Sequence, residues 1–308
     1  MKTTRRGALV AGTLGGAGLL GAAAIRDTQT AGTAYSLPQS TILRYRSDIN
    51  GVDYTLYVRP PAGHESGSSR YPVIVTLDAD YSFPGCATQL EHLAARESQG
   101  PEAILVSVAY TGSYPDPRGY RLNRTRDYTP AFVAEGGYGP EYQRASGGAP
   151  LFLRSLLEEA LPLIGRYWRA DQGDRTLVGH SFGGLFAGWV LQTRPDSFSR
   201  YLLVSPSLWY ADDLLLKQEE AGRIVAPTRP TRVFLAVGDQ EERSTGGGHR
   251  MVSQLRTFAD GLAGRGDPNL SVRSRVFEDE THASIFPAAF STGVRHLFSR
   301  TPWEAAES

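Results

Sequence analysis

A serine framed by glycines, between an apolar run and a helical stretch, is the feature that most restricts how this chain can fold. Gly179-His180-Ser181-Phe182-Gly183 follows the short apolar run "RTLV" and opens the helix-like stretch "FGGLFAGWVLQTR". Strand, sharp turn and helix are the context that a G-x-S-x-G nucleophile elbow requires. Glycines suit the strained backbone of such a turn, where larger side chains would collide with the strand and the helix. We therefore predict that Ser181 is a catalytic nucleophile.

The rest of the chain alternates between strand-like and helix-like segments. The strand-like runs are "TILRYRS", "VDYTLYVRP", "YPVIVTLD", "AILVSVAY", "TLVG", "RYLLVSPS", "TRVFLAVG" and "SVRSRVFED". The predicted helices are Thr88 to Arg96, Pro150 to Trp168, Phe182 to Arg194, Gly248 to Ala263 and Ser284 to Ser299. This alternation predicts a single α/β domain, with a mostly parallel sheet and helices on both faces. The first two runs, joined by "DINGVD", are expected to form a hairpin.

One long segment departs from the alternation. Residues Thr111 to Ala149 are rich in Gly, Pro, Tyr and Arg and show no clear period. Long connections of this kind are usually functional or disordered. The aromatic and arginine content favours an ordered loop over the active site.

A serine hydroxyl needs a base, and the position of His282 fits that role. With this kind of elbow the order along the chain is serine, acid, histidine. His180 adjoins the serine and is expected to point away from it, and His249 and His296 fall inside predicted helices. His282 lies in "FEDETHASIF", between the last strand and the last helix, where the base belongs.

The acid of the triad is less sharply defined by the sequence. "VFLAVGDQEE" ends a strand and presents Asp239, Glu241 and Glu242. The carboxylate that orients the imidazole usually lies in such a loop. We favour Glu241, with Asp239 as the alternative acid, and a Ser–His dyad without a carboxylate is a third arrangement.

An oxyanion hole needs two backbone N–H groups that face the developing negative charge. We expect one from Phe182, directly after the nucleophile. The other is expected from the loop after "YPVIVTLD", hence from Asp80 or Tyr81.

The first 34 residues resemble an export signal. Arg5 and Arg6 precede an uncharged, Gly- and Ala-rich run from Ala8 to Ala24, followed by small residues that suit cleavage. This order is typical of a signal for the twin-arginine machinery, and the run is short for a membrane span. We expect a leader and linker over residues 1–34 and a catalytic domain over residues 35–308. The mature protein is expected to be periplasmic or secreted, without stable membrane association.

Composition argues against several other classes. Lys+Arg and Asp+Glu are both 32, a formal net charge of +0, so nothing favours a nucleic-acid partner. Cys86 is the single cysteine, which excludes an intrachain disulfide and a cysteine-based metal site. We expect no metal and no organic cofactor.

Taken in order, these motifs resemble the "Putative esterase" family of α/β-hydrolases, and within it the exported siderophore esterases that cleave trilactones. The matching stretches are "PVIVTLDADYSF", "RTRDYTP", "LVGHSFGG", "SPSLWY", "VGDQEE" and "THASIFPAAF". The resemblance implies an α/β-hydrolase fold, with Ser181 and His282 catalytic and Glu241 supporting them. Ala79-Asp80 stands where the family has Gly-Asn, a departure in the oxyanion turn.

The resemblance also suggests residues for the substrate. Arg124 and Arg126 are candidates to hold an anionic ligand such as a ferric catecholate, and a fold-stabilising arginine pair is the competing interpretation. Trp209 and Tyr210 are candidates to wall an acyl or aromatic pocket, against ordinary loop packing.

The leading hypothesis is a serine ester hydrolase that works through an acyl-enzyme, with a siderophore trilactone, ferric or iron-free, as the specific substrate. A general carboxylesterase for cinnamoyl, acetyl or small-acyl esters is the alternative within the class. An acyltransferase and a catalytically silent binding protein are the remaining alternatives.

Overall fold

The computed structural model describes residues 35–96, 100–112, 116–243 and 250–299. Within these ranges, one sheet of eight strands has the order β1-β2-β4-β3-β5-β6-β7-β8. The strands are β1 (Thr41–Arg46), β2 (Asp53–Arg59), β3 (Tyr71–Thr76), β4 (Ile104–Tyr110), β5 (Ala170–His180), β6 (Arg200–Val204), β7 (Thr231–Gly238) and β8 (Leu270–Phe277).

The strand pairing confirms the predicted α/β class. β1 pairs antiparallel with β2 at one edge of the sheet, which confirms the expected hairpin. β2 also pairs antiparallel with β4. All the other neighbours pair in parallel. The carboxyl ends of β3 to β8 therefore meet along one edge of the sheet, and loops at that edge are where ligands bind in open α/β sheets.

Helices cover both faces of the sheet. They are α1 (Ala79–Arg96), α2 (Pro117–Tyr128), α3 (Pro140–Gln143), α4 (Ala149–Ser155), α5 (Leu161–Tyr167), α6 (Phe182–Thr193), α7 (Tyr210–Glu220), α8 (Met251–Gly264) and α9 (Phe286–Leu297). A π-helical turn, Leu156–Ala160, joins α4 to α5. Buried apolar side chains of α1 and α9 form one core cluster with the sheet, and those of α4, α5, α6 and α8 form the other. This arrangement confirms the three-layer architecture expected from the alternation.

Two predictions of secondary structure were wrong in segments that lie near Ser181. α1 begins at Ala79 and not at Thr88. The sequence did not reveal this start because Pro84 and the glycine after it interrupt the apolar period of the first turns. The structure also places α2 and α3 inside the segment Thr111 to Ala149, which was expected to have no regular structure. α2 is rich in arginine and lacks an apolar stripe, yet its capping signals were readable. Asp116 caps it by accepting from Arg118 N and Gly119 N at 2.9 Å.

The other boundaries differ in smaller ways. The helix predicted over Gly248 to Ala263 is described as α8 from Met251 to Gly264, and His249 lies outside the described residues. α7 was not predicted at all. Its first turn is not regular α-helix, because three residues there, Ala211 to Asp213, have positive φ.

Candidate active site

Ser181 lies at the sharp turn between β5 and α6 in a strained backbone conformation. Its φ is 59° and its ψ is −119°, a region that side-chain-bearing residues rarely occupy. Its backbone N–H donates to Val204 O at 3.0 Å, and its carbonyl accepts from Leu185 N at 2.9 Å and Ser207 N at 3.2 Å. The turn is thus fixed to β6 on one side and to α6 on the other. Strain held in place in this way is a common mark of functional sites.

The glycines around Ser181 are required by close backbone approach. A Cβ on Gly179 would lie 2.0 Å from Gly183 O, and one on Gly184 would lie 2.9 Å from Pro206 Cα. No alanine fits at either position without a backbone shift. The collisions that the motif predicts are therefore present in the structure.

His282 and Glu241 are in direct contact. His282 Nδ1 lies 2.6 Å from Glu241 Oε2. Glu241 is 2% exposed, in the turn that follows β7, whereas Asp239 is exposed to solvent. The structure thus brings Glu241, and not Asp239, to the imidazole. A buried carboxylate in this position fixes the proton on Nδ1 and leaves Nε2 facing other groups.

The second carboxylate oxygen of Glu241 is held by two donors. Glu241 Oε1 accepts from Gly238 N at 2.8 Å and from Ser205 Oγ at 2.6 Å. Hydrogen bonds to a charged acceptor are short and strong, and they satisfy a carboxylate that is buried. Ser205 was missed as a functional residue by the sequence reasoning. Its signal was its position, directly after β6 and beside the strand that ends at the acid.

The imidazole of His180 packs against that of His282. The two ring centroids lie 4.6 Å apart, with 36° between the planes. Burial, followed by the nearby His282 and Arg124, lowers the pKa of His180 to about 3. His180 is therefore neutral at physiological pH and adds no charge beside His282. In the described part of the chain, the hydroxyl of Ser181 forms no hydrogen bond to His282. Such contacts often tighten only when substrate binds.

Two backbone N–H groups are unused where an oxyanion hole is expected. Among the described residues, neither Phe182 N nor Asp80 N donates to a protein acceptor, whereas Tyr81 N donates to Asp78 O at 3.0 Å. The loop before α1 lies against the elbow, since a Cβ on Gly183 would be 3.3 Å from Leu77 Cδ1. Phe182 N and Asp80 N thus belong to two chain segments that are in contact.

Arg124 is buried behind this junction, 3% exposed. Its Nε donates to Asp78 Oδ1 at 2.8 Å and its Nη2 to Asp78 Oδ2 at 3.1 Å. Nη2 also donates to His180 O at 3.2 Å, and Nη1 to Tyr138 Oη. Burial alone would lower the pKa of Arg124, but Asp78, Tyr138 and Tyr120 together outweigh the burial, so the pKa is raised and the charge is kept. This differs from the expectation of a ligand-binding arginine, because the guanidinium faces protein acceptors.

Arg126 also faces a protein carboxylate. Its Nε lies 2.7 Å from Asp127 Oδ1 and its Nη2 3.0 Å from Asp127 Oδ2, while Nη1 donates to Asn123 Oδ1 at 2.8 Å. Asp127 in turn accepts from Tyr54 Oη at 2.7 Å. This network ties α2 to β2, so the observed contacts of Arg126 are those of a fold-stabilising residue.

The two aromatic residues after β6 occupy different environments. Tyr210 is 1% exposed, which is too deeply buried to wall an open pocket. Its hydroxyl donates to Ala131 O at 3.0 Å and so ties the segment after α2 to the start of α7. Trp209 is half-buried, with its ring centroid 5.9 Å from that of Phe182.

A cleft of about 320 Å³ opens beside His180. Its lining includes Tyr81, Tyr120, His180, Phe286 and Pro287. Tyr81 is 64% exposed, and its ring lies edge-on to that of Tyr120 at 5.0 Å. Part of the wall of this cleft is therefore aromatic, from Tyr81, Tyr120 and Phe286. Among the described residues, no group of three His, Cys, Asp or Glu side chains is arranged to hold a metal ion.

The mostly parallel sheet, the strained serine elbow and the His–Glu contact define an α/β-hydrolase with a serine elbow. A model of the family described as "Putative esterase" matches residues 47–261, and the chain belongs to that family. It is accordingly an ester-hydrolysing enzyme.

Individual relatives agree with this assignment. The chain is 28% identical over 291 residues to "Ferri-bacillibactin esterase BesA" of Bacillus subtilis, covering 87% of this chain and 93% of the relative. It is also similar to the crystal structure of the BES protein from Bacillus cereus, with a TM-score of 0.75 and 27% identity, over 88% of this chain and 99% of that one. An IroE-like serine hydrolase from Shewanella oneidensis gives a TM-score of 0.72 and 28% identity, over 84% and 80%.

Proposed function

We propose that the enzyme forms an acyl-enzyme on Ser181, with His282 as the base and Glu241 as the acid that orients it. The contact of 2.6 Å between His282 Nδ1 and Glu241 Oε2 carries this proposal. With the Nδ1 proton held by the carboxylate, Nε2 is the nitrogen that accepts the serine proton. Glu241 is preferred to Asp239 as the acid because only Glu241 is buried against the imidazole.

The reaction then follows from the geometry in two halves. Ser181 Oγ attacks the ester carbonyl carbon while its proton passes to His282. The protonated imidazole gives this proton to the leaving alcohol oxygen as the C–O bond breaks. Water attacks the acyl-enzyme in the second half, with His282 again taking and returning a proton, and the acid and free Ser181 are released.

The oxyanion of each tetrahedral intermediate is proposed to bind Phe182 N and Asp80 N. These two N–H groups are unused by protein acceptors in the described residues, whereas Tyr81 N already donates to Asp78 O. An unused donor loses no hydrogen bond when the oxyanion forms, which favours Asp80 over Tyr81. In many enzymes, hydrogen-bond donors that are fixed in place before the reaction make the largest single contribution to the stabilisation of the transition state.

The proposed substrate is a siderophore with an ester-linked backbone, such as a tri-catecholate trilactone. Its support is the relative named for ferri-bacillibactin, together with the cleft of about 320 Å³ beside His180, which Tyr81, Tyr120 and Phe286 help to line. Flat aryl groups pack well on aromatic side chains. Trp209, half-buried beside Phe182, is proposed to form a further aromatic wall of the site.

The test compares the mature wild type with Ser181→Ala on a tri-catecholate trilactone and on p-nitrophenyl butyrate, with and without iron. Mass spectrometry follows the products. The proposal expects fast trilactone cleavage that depends on Ser181, with the simple ester slower. Cleavage of the simple ester alone would assign a general carboxylesterase. If wild type resembles the alanine variant on both, and a fluorophosphonate probe leaves Ser181 unlabelled, the hydrolase mechanism is wrong for this chain.

We also propose that residues 1–34 direct export by the twin-arginine route to the periplasm or beyond. The paired Arg5 and Arg6 before an uncharged run support this. In the described residues, no helix is both long and apolar enough to cross a membrane. Replacing both arginines by lysine should leave the full-length precursor in the cytoplasmic fraction, as followed by immunoblot. Unchanged export of that variant would refute the twin-arginine route.

A further inference from the structure

The residue before the proposed nucleophile lies against the proposed base. His180 directly precedes Ser181, and its ring centroid lies 4.6 Å from that of His282, with 36° between the planes. We propose that His180 is a positioning residue that fixes the ring plane of His282, so that Nε2 of the base stays directed toward Ser181. This inference rests on the proposed function and assigns His180 a role in catalysis without substrate contact.

Glu241 alone does not fix the orientation of the imidazole. The contact of 2.6 Å between His282 Nδ1 and Glu241 Oε2 holds one ring atom, but a ring can still turn about the axis of a single hydrogen bond. Solvent adds little restraint, and the side chain of His282 is 43% exposed. Such a rotation would move Nε2, on the other side of the ring, away from the serine hydroxyl. A second contact, on the face of the ring, is therefore needed to hold the base in its working orientation.

His180 supplies that contact from a rigid part of the fold. It is the last residue of β5, in register with Val204 of β6. Its imidazole also packs against Phe286 in the first turn of α9, with ring centroids 5.8 Å apart and 57° between the planes. In the described parts of the chain, no other aromatic ring packs against that of His282. Since His180 and Ser181 are adjacent, one stretch of backbone sets both the plane of the base and the position of the nucleophile.

The imidazole of His180 suits this position because it is uncharged. Its Nε2 is buried and, among the described residues, has no hydrogen-bond partner, so a proton added there would have no acceptor. Burial is the main reason that the pKa of His180 is lowered to about 3; His282 and Arg124 lower it further, and a hydrogen bond to the backbone of His282 offsets them only in part. His282 becomes an imidazolium once in each half of the proposed reaction, and a second cation in ring contact with it would oppose this charge. The neutral ring can therefore stay packed against the base throughout the cycle.

The deciding measurement is the steady-state kinetics of His180→Ala and His180→Phe on a neutral ester, p-nitrophenyl butyrate. His180→Ala should lower kcat about 30-fold with little change in KM, because the ester still binds but the base is misdirected. Labelling of Ser181 by a fluorophosphonate should slow in parallel. Phenylalanine keeps a flat, uncharged ring, so His180→Phe should hold kcat within about threefold of the wild-type value.

A second readout follows the ring of His282 without any turnover. A short hydrogen bond between an imidazole and a carboxylate gives a proton signal far downfield in the NMR spectrum, and the loss of this signal in Glu241→Gln assigns it to the proton on His282 Nδ1. In His180→Ala the signal should broaden through faster exchange with water, because the ring is no longer held. In His180→Phe it should stay sharp. A signal as sharp in His180→Ala as in the wild type would contradict the inference.

His296→Ala is the matched control for the loss of a histidine that packs on an aromatic ring. The ring centroid of His296 lies 5.1 Å from that of Phe234, with 12° between the planes, and His296 is half-buried, as His180 is. His296 lies in the last turn of α9, whereas Phe286 lies in the first, so about 15 Å of helix separates His296 from the site. This control should lower the melting temperature and leave kcat within about twofold.

Other kinetic results would also overturn the inference. If kcat of His180→Ala falls no more than that of His296→Ala, the role of His180 is purely structural. If His180→Ala keeps its kcat and only raises KM, His180 binds substrate. If His180→Phe is as impaired as His180→Ala, packing of a ring does not position the base.

A different variant covers the case in which His180→Ala does not fold. His180→Gln, which is neutral and has no ring, then replaces it with an expected loss of about tenfold in kcat, and full activity of that variant contradicts the inference. A wild type that is inactive on every ester is a different failure, that of the proposed function. The downfield proton signal still reports in that case whether His180 holds the ring of His282.

Discussion

The two edges of the parallel sheet handle tight turns in opposite ways. At the carboxyl edge, residues with side chains take positive φ soon after four strands, at Asp78, Ser181, Ser205 and Asp279, and a glycine, Gly112, does so after β4. At the amino edge, in the described parts of the connections that enter β3 to β8, positive φ falls on glycines: Gly63, Gly222 and Gly266. Positive φ therefore falls on glycines alone in these amino-edge connections, whereas four of the carboxyl-edge turns place it on residues with side chains, where it is strained.

Function accounts for the difference. Glycine adopts positive φ at almost no cost, so it is the residue expected wherever only a turn is needed. At the carboxyl edge three of the four strained residues have side chains that the site uses. Ser181 is the proposed nucleophile, Asp78 binds Arg124, and Ser205 binds Glu241. We infer that the strain is retained because the activity needs the side chain at that position, although a glycine there would make the fold more stable.

Replacement of Ser181 gives the largest effect. Ser181→Ala should lower kcat on p-nitrophenyl butyrate by about 10⁴-fold or more, because loss of the nucleophile removes the covalent route. Ser181→Gly should be equally inactive and about 1 kcal/mol more stable than Ser181→Ala, since glycine relieves the strained φ. Kinetics and urea unfolding of the two variants check this. Equal stability of the two would show that the elbow holds no strain.

Replacement of the acid separates the two carboxylates after β7. Glu241→Gln should lower kcat by about 10²- to 10⁴-fold, because the amide no longer stabilises the imidazolium that forms during attack. Asp239→Asn, a change of the same kind two residues earlier on an exposed side chain, should leave kcat within about twofold. The comparison uses the same ester for both variants. If both variants lose kcat equally, the assignment of Glu241 as the acid is wrong. If neither variant loses kcat, a Ser–His dyad is favoured.

Much of this edge was predictable from the sequence because its signals are local. The elbow is defined by five consecutive residues, and its glycines follow from collisions between neighbouring parts of one turn. His282 was placed by its position between the last strand and the last helix. The acid was narrowed to the turn after β7, but the choice between Glu241 and Asp239 needed the direction of each side chain, which a short turn does not fix in advance.

The contacts across the chain could not be predicted in the same way. The sequence left Arg124 and Arg126 open between binding a ligand and stabilising the fold, because the partner of Arg124, Asp78, lies 46 residues earlier in the chain. Ser205 reaches Glu241 only because β6 and β7 are neighbours in the sheet. Both pairings depend on strand order and helix placement. α2, which carries Arg124, was itself hidden because its arginine-rich sequence has no apolar stripe.

Acidification should lower the free energy of unfolding of the protein through His180, which lies at the carboxyl edge. Its folded-state pKa, about 3, lies below the unfolded value near 6.5, so the unfolded chain binds the extra proton first. The contribution of His180 is complete above pH 6.5 and is lost as the pH falls toward 3. Between pH 7 and pH 5 this loss should be about 2 kcal/mol. Urea unfolding of wild type and His180→Gln at both pH values measures it, and an equal pH dependence in the two proteins would contradict the assignment.

The smallest effect is expected at the amino edge, where it tests whether turns there serve the fold alone. Gly266 has a φ of 63°, and a Cβ at this position would meet nothing within 4 Å. Gly266→Ala should therefore cost only the backbone strain, about 1 kcal/mol, with kcat unchanged. Gly264→Ala, two residues earlier at the end of α8, is the matched control. It is equally open but has no positive φ, so it should be stabilising by about 0.5 kcal/mol. A fall in kcat for Gly266→Ala, at unchanged folded fraction, would mean that strain at the amino edge also reaches the site, and the contrast between the two edges would no longer hold.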